Sequence, residues 1–175
     1  TLRNSSAASD VYKRQDAYLY ACHKDIEAIK PGNVNINSPH HDTTASDYLI
    51  SSINSGSELF YDSYSLGDRI LNAIVATKKE TSMNTNLGIV LLCAPIAHAL
   101  LNYKEMSLKD AITKTIDNAT SDDTVKICEA INIANPGGLG DVLDYDTKSM
   151  PAVKLREIMS YSAQYDRISY QYHNN

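Results

Sequence analysis

The chain lacks the features that mark several protein classes. It has three cysteines, Cys22, Cys93 and Cys128, in 175 residues. They are far apart and form no CxxC pair, which excludes a zinc knuckle and a disulfide framework. Each lies in a helix-like run beside Ala, Ile or Leu, so they read as buried thiols in a reducing, cytoplasmic compartment. Basic charge is not in excess. Sixteen Lys and Arg against 21 Asp and Glu leave a net charge of −5. That excludes a broad surface for nucleic acid or an anionic membrane, while leaving room for a local basic pocket that takes phosphate. The longest apolar run, "LGIVLLCAPIAHALL" from Leu87 to Leu101, falls short of the about 20 residues that cross a bilayer, and it contains Pro95 and His98. No stretch alternates for long with period two. There is no Walker loop, no GxGxxG behind a strand and no internal repeat.

What remains is helical periodicity. The expected fold is all-α, one compact multi-helix domain with a site formed by inter-helix loops. Six or seven helices are predicted. The first runs from about Asp16 to Ile29 and is stopped by Pro31-Gly32. The second runs from Thr44 or Ser46 to Tyr61. The third starts at Ser65, with Asp68 in a capping-box position. The Leu87–Leu101 run reads as a central buried helix, kinked near Pro95. A fifth helix starts at Ser107. A sixth starts at Ser121, with Asp122 and Asp123 where the helix dipole favours acids, and ends near Ala134. Ser149 and Pro151 open a last helix. Residues 1–15, "TLRNSSAASDVYKRQ", carry no apolar periodicity and lack the apolar core of a secretory signal. They resemble translated adaptor sequence and are read as a non-native leader before a domain of residues 16–175. The last run stops without a clear cap, as expected of a C-terminally truncated fragment.

The chemistry-bearing residues concentrate between helices. The first loop has Glu27, Lys30, Asn33, His40, His41 and Asp42. The second has Asn84, Thr85, Asn86 and Gly88. The third has Gly137, Gly138, Gly140, Asp141, Asp144 and Asp146. Helical proteins build sites where such loops converge. Each residue also has a plainer reading. Lys30 is either a solvated cation well placed at a helix C-terminus or a phosphate contact beside free backbone N–H groups. "HHD" resembles a metal cluster, though adjacent loop histidines are usually surface residues. "NTNLG" marks a helix N-terminus with Thr85 or Asn86 as N-cap, which is also where an anion finds free N–H groups. Asp144 and Asp146 suit either a turn or a magnesium ion shared with a polyphosphate.

Taken together, "ACHKDIEAIKPGNV", "HHD", "NTNLGIVLLCAPIAHAL", "NPGGLGDVLDYD" and "MSYSAQYDRISYQY" resemble, in order and spacing, the triphosphoribosyl-dephospho-CoA synthase family. The resemblance covers residues 16–172. It implies an all-helical pentosyltransferase that joins ATP to 3′-dephospho-CoA, releases adenine and needs Mg2+. Its product is a prosthetic-group precursor. No nucleic-acid or membrane partner is implied. By resemblance, Glu27, Lys30 and Asp42 are the catalytic candidates. Lys30, Gly32, Asn33, His41, Asn84, Thr85, Asn86, Gly137, Gly138, Asp166 and Gln171 are candidates for substrate binding. Asp42, Asp144 and Asp146 are candidates for holding the metal. One departure stands out: lyase-associated members carry a His-Lys pair where this chain has Asn86-Leu87. The chain looks like the archaeal and methylotroph branch, whose acceptor belongs to another cofactor pathway, pterin-linked one-carbon metabolism being one option. Two other readings keep the same residues: a metal-dependent hydrolase of a nucleotide or N-glycoside, and a non-catalytic nucleotide-binding homologue.

Overall fold

A computed structural model describes residues 2–30, 33–39, 43–81, 83–135 and 153–174. Among them, eight helices and no strand pack into one body, as the periodicity predicts. The helices are α1 (Leu2–Glu27), α2 (Ala45–Leu59), α3 (Leu66–Glu80), α4 (Leu87–Asn102), α5 (Leu108–Asp117), α6 (Ser121–Ala134), α7 (Leu155–Ser162) and α8 (Arg167–Asn174). Two boundaries differ from expectation. α1 starts at Leu2, well before Asp16. Nothing between Leu2 and Glu27 is Gly or Pro, so no residue halts the helix once it is nucleated. Its apolar stripe is too thin to read there; among the described side chains before Tyr18, only Val11 packs on the core. The C-terminal run divides into two helices, because the Asp166 carboxylate accepts from Ser169 N–H at 2.6 Å and starts α8 afresh. Ser149 and Pro151, expected to open that run, lie outside the described residues.

The caps follow the sequence closely. Ser65 accepts from Asp68 N–H at the head of α3, and Ser107 from Asp110 N–H at the head of α5. α6 is capped one residue earlier than expected, by Thr120. Thr120 exchanges hydrogen bonds with Asp123 in a capping box.

α2 and α3 form an antiparallel hairpin, and α3 lies parallel to α6. The α3–α6 approach is close enough that Gly67 N–H donates to the Asp123 carboxylate at 2.7 Å. A Cβ at Gly67 would meet the Asp123 Cα at 2.6 Å, so no other residue fits there. α1 packs on the face of α2 made of Ser51, Ser52, Ser55 and Gly56, whose small side chains admit the Tyr18 ring. The core runs through Leu59, Ile70, Ile74, Val90, Leu91, Ile127, Leu155 and Tyr172. Arg69 is fully buried within it. Its guanidinium donates to the carbonyls of Leu59 and Tyr64, closing the C-terminus of α2. Burial pulls its pKa down to about 10.

α4 is not buried all round as its composition suggests. It turns Val90, Leu91, Ala94 and Ala97 inward and leaves Leu92 44% exposed. The helix continues through Pro95. A proline has no N–H for the carbonyl four residues back, here Leu91. The buried Tyr172 hydroxyl from α8 donates to that carbonyl at 2.5 Å. The cysteines are free. Cys128 is buried, but Cys22 and Cys93 are only partly covered at the core edge. Burial pushes all three thiols up, Cys93 to about 11.

Two stability predictions follow from these contacts. Tyr172→Phe orphans the Leu91 carbonyl and should cost about 1–3 kcal/mol. In a Pro95→Ala background, where residue 95 regains its N–H, the same change should cost under about 1 kcal/mol. Chemical denaturation of the four variants tests this coupling, and equal costs in both backgrounds would refute it. The second concerns pH. Burial, with Arg69 adding to it and Asp123 opposing, holds the His98 imidazole below its ordinary 6.5. The fold therefore keeps the ring neutral while the unfolded chain takes up a proton as pH falls through 6.5. Stability should be full above that pH and decline below it. His98→Gln should flatten the decline in melts run from pH 7.5 to 5.

Candidate functional site

Two of the inter-helix connections lie at one end of the bundle, where α6 also ends. α1 and α2 are joined there by residues 28–44, and α3 and α4 by residues 81–86. The C-terminus of α6 lies at the same end, because α3 and α6 run parallel. Asn135 closes α6 in the left-handed region, at φ 46°, a conformation that Asn tolerates. The α7–α8 corner joins them: Ile168 packs against Gly88 in the first turn of α4. The first two polar loops singled out in the sequence thus share an end, and α6 stops beside them, while residues 136–152 lie outside the described residues.

The α1 terminus carries Glu27, Lys30 and Asn33. Two carboxylates, Asp25 and Glu27, stand in a helix C-terminal turn, where the dipole disfavours negative charge. Each has its own cation. Glu27 meets Lys24 at 2.5 Å and His23 at 3.0 Å. The Lys24 hydrogen bond, with His23 adding to it, holds the Glu27 carboxyl below its usual range. Lys30 reaches back to Asp25 at 2.6 Å. Glu27 and Lys30, expected side by side, belong to separate pairs. Asn33 N–H donates to the Lys30 carbonyl, and the Asn33 side-chain oxygen accepts from Val34 N–H. The loop is then pinned to the helix end by Ile36 N–H donating to the Ile26 carbonyl at 2.9 Å.

The α3–α4 turn behaves differently from expectation. Asn86 stands at the N-cap position of α4, but its side chain does not cap. Asn84 does so instead, its oxygen accepting from Leu87 N–H at 3.2 Å. Asn86 is 5% exposed and Thr85 6%. The Asn86 amide points inward, toward Thr77 Oγ1 (3.0 Å), Ser55 Oγ (3.1 Å) and the Ser51 carbonyl (3.3 Å). Thr85 and Ser51 hydroxyls meet at 2.5 Å. Ser55 also bonds Tyr18, so α1, α2, α3 and α4 share one polar network. Leu87 packs in the core, so the position at which the resemblance marks a departure is interior in this chain. A small cleft of about 10 Å³ lies here, its walls including Thr77, Lys78, Asn84, Thr85, Asn86 and Ala134. That is room for a water molecule at most, far below the about 300 Å³ at which ligand pockets begin.

Asp166 caps α8 at the shared end, and Gln171 is exposed further along that helix. Gly32, His41, Asp42, Gly137, Gly138, Asp144 and Asp146 lie outside the described residues. Among the described residues, no three or more His, Cys, Asp or Glu side chains could hold a metal. No described helix is long and apolar enough to cross a membrane. Sequence reasoning passed over Asp25, whose spacing from Lys30 is not a helical one. It also passed over Lys78, which reads as an ordinary last-turn cation, and over Ser51, Ser55 and Thr77, which hold Asn86.

A family profile described as ATP:dephospho-CoA triphosphoribosyl transferase matches residues 12–175. The chain belongs to that family. Its members are named for a transfer between ATP and dephospho-CoA, so the chain is a member of a transferase family with ATP as the implied substrate. No curated protein and no solved structure matches it. The family profile begins inside α1, one residue after Val11, which packs on the core.

The inward turn of Asn86 has a measurable consequence. Asn86→Leu strands the groups on α2 and α3 that its amide serves, at a cost of about 2–3 kcal/mol. The melting temperature should fall by about 5 °C or more. An unchanged melt with lost nucleotide binding would show a ligand contact instead.

Proposed function

We propose that this chain transfers the 5-triphosphoribosyl group of ATP to the 2′-hydroxyl of 3′-dephospho-CoA, or of a related acceptor, and releases adenine. The family match over residues 12–175 carries the reading. The two described polar loops at one bundle end, beside the C-terminus of α6, support it. In this reaction the hydroxyl oxygen bonds to C1 of the ATP ribose as the bond to adenine breaks. The hydroxyl proton passes to a base, and the leaving adenine takes up a proton. The ribose passes through an oxocarbenium-like state that carboxylates stabilise.

Lys30 is the phosphate contact in this reading, with Gly32, Gly137 and Gly138 bringing backbone N–H groups to the phosphates and the Asn33 side-chain amide donating beside them. Glu27, its carboxyl held low and hence ionised at neutral pH, is the proton acceptor, or Asp42 is. His41, Asn84, Asp166 and Gln171 are contacts to ribose or acceptor. Thr85 and Asn86, turned inward, hold the loop in place. Magnesium would be held by Asp42, Asp144 and Asp146, whose hard oxygens suit that ion, and would neutralise phosphate charge. The reaction places the protein in the cytoplasm, with its nucleotide substrates.

The test is adenine release from Mg-ATP, followed by chromatography with and without 3′-dephospho-CoA. Adenine formed only with the acceptor is expected. Release without acceptor would mean a hydrolase, and nucleotide binding without turnover a non-catalytic homologue; either outcome overturns the proposal.

A further inference from the structure

We propose that Asp25 is a positioning residue for Lys30, holding its ammonium where the phosphate chain of ATP is bound. This rests on Lys30 being the phosphate contact. The Lys30 Nζ lies 2.6 Å from the Asp25 carboxylate, across the end of α1. The two are five residues apart, one beyond the spacing at which helix neighbours meet, so the chain must turn back to make the pair.

Lys30 is restrained at three points. Its carbonyl accepts from Asn33 N–H at 3.1 Å. The proline that follows it in sequence narrows its backbone choices. Its side chain is tied to Asp25. The lysine side chain is 29% exposed and its partner 49%, so the cation lies back along the helix end instead of extending into water. A lysine already held in one rotamer loses less freedom when a ligand arrives. An ammonium has three donors. Asp25 uses one, which leaves two for phosphate oxygens.

The acid itself argues for this role. Asp25 stands in the last turn of α1, where the dipole disfavours a carboxylate. The nearby Lys24 ammonium and His23 ring both serve Glu27. Lys30 is therefore the cation that offsets Asp25. A pair this exposed adds little to fold stability, so its effect should appear in binding and not in melting.

The experiment measures the dissociation constant of Mg-ATP by calorimetry for the wild type, Asp25→Asn, Asp25→Glu, Lys30→Ala and the double variant Asp25→Asn/Lys30→Ala, with a thermal melt of each. Asp25→Asn should weaken ATP binding about fivefold, the scale set by one exposed ion pair, with the melting temperature unchanged. Asp25→Glu should recover most of that loss. Lys30→Ala should weaken binding about tenfold or more, and Asp25→Asn should then add nothing. Weakened binding in Lys30→Ala but not in Asp25→Asn overturns this inference alone. A further loss in the double variant also overturns it, because Asp25 would then act by another route. No effect of Lys30→Ala overturns the reading of Lys30 itself, and the inference with it.

Discussion

The loop-bearing end of the bundle depends on one side-chain amide, that of Asn86. It sits at the start of α4 and reaches a carbonyl and a hydroxyl of α2 and a hydroxyl of α3. Ser55 extends the network to Tyr18 on α1. A buried polar group that loses its partners costs far more than a made hydrogen bond gains. These contacts therefore hold four helix segments in one register. Any geometry among the loops above them is inherited from that register. The small residues of α2 are a condition for it, because bulkier side chains would keep α1 and α4 apart.

The two ends of the bundle solve the helix-terminus problem in different ways. At the far end, backbone groups are closed by buried partners. Arg69 takes the carbonyls of Leu59 at the end of α2 and Tyr64 beyond it, and Asp123 serves both its own cap and Gly67. At the near end, charges are paired locally and in contact with water, as Glu27 is with Lys24 and Lys30 with Asp25. Buried partners of the first kind cannot be exchanged without loss of stability. Exposed pairs of the second kind contribute little to folding and can be rearranged around an anionic ligand. The end that carries the polar loops is thus also the end whose charges are available.

The all-α class and most helix boundaries were legible in the sequence because they rest on local physics. Ser65, Ser107 and the Asp123 region announce their caps through spacing alone. The family resemblance was legible for a related reason, since its motifs are short, ordered segments, and the profile match bears it out. Other features were not legible. The start of α1 was missed because a polar stretch free of Gly and Pro can be helical without an apolar face. The division between α7 and α8 was missed because Asp166 acts as a cap inside a run that looks continuous. Asn86 reads as an N-cap because an amide at a helix N-terminus usually caps it, and only packing shows it turned inward.

The sequence by itself determined which segments are helical, where most of them stop, and that the polar residues gather in the connections, since each depends on neighbours within one turn. Tertiary structure decided which connections share an end, because that follows from how α3, α4 and α6 run beside one another. It also decided pairings that no local spacing reveals: Lys30 with Asp25, Asn86 with Ser51, Ser55 and Thr77, and the Tyr172 hydroxyl with the carbonyl that Pro95 leaves without a donor. Such pairings bring distant residues together to satisfy charges and hydrogen bonds that water no longer serves, and only the folded chain shows which groups have lost that water.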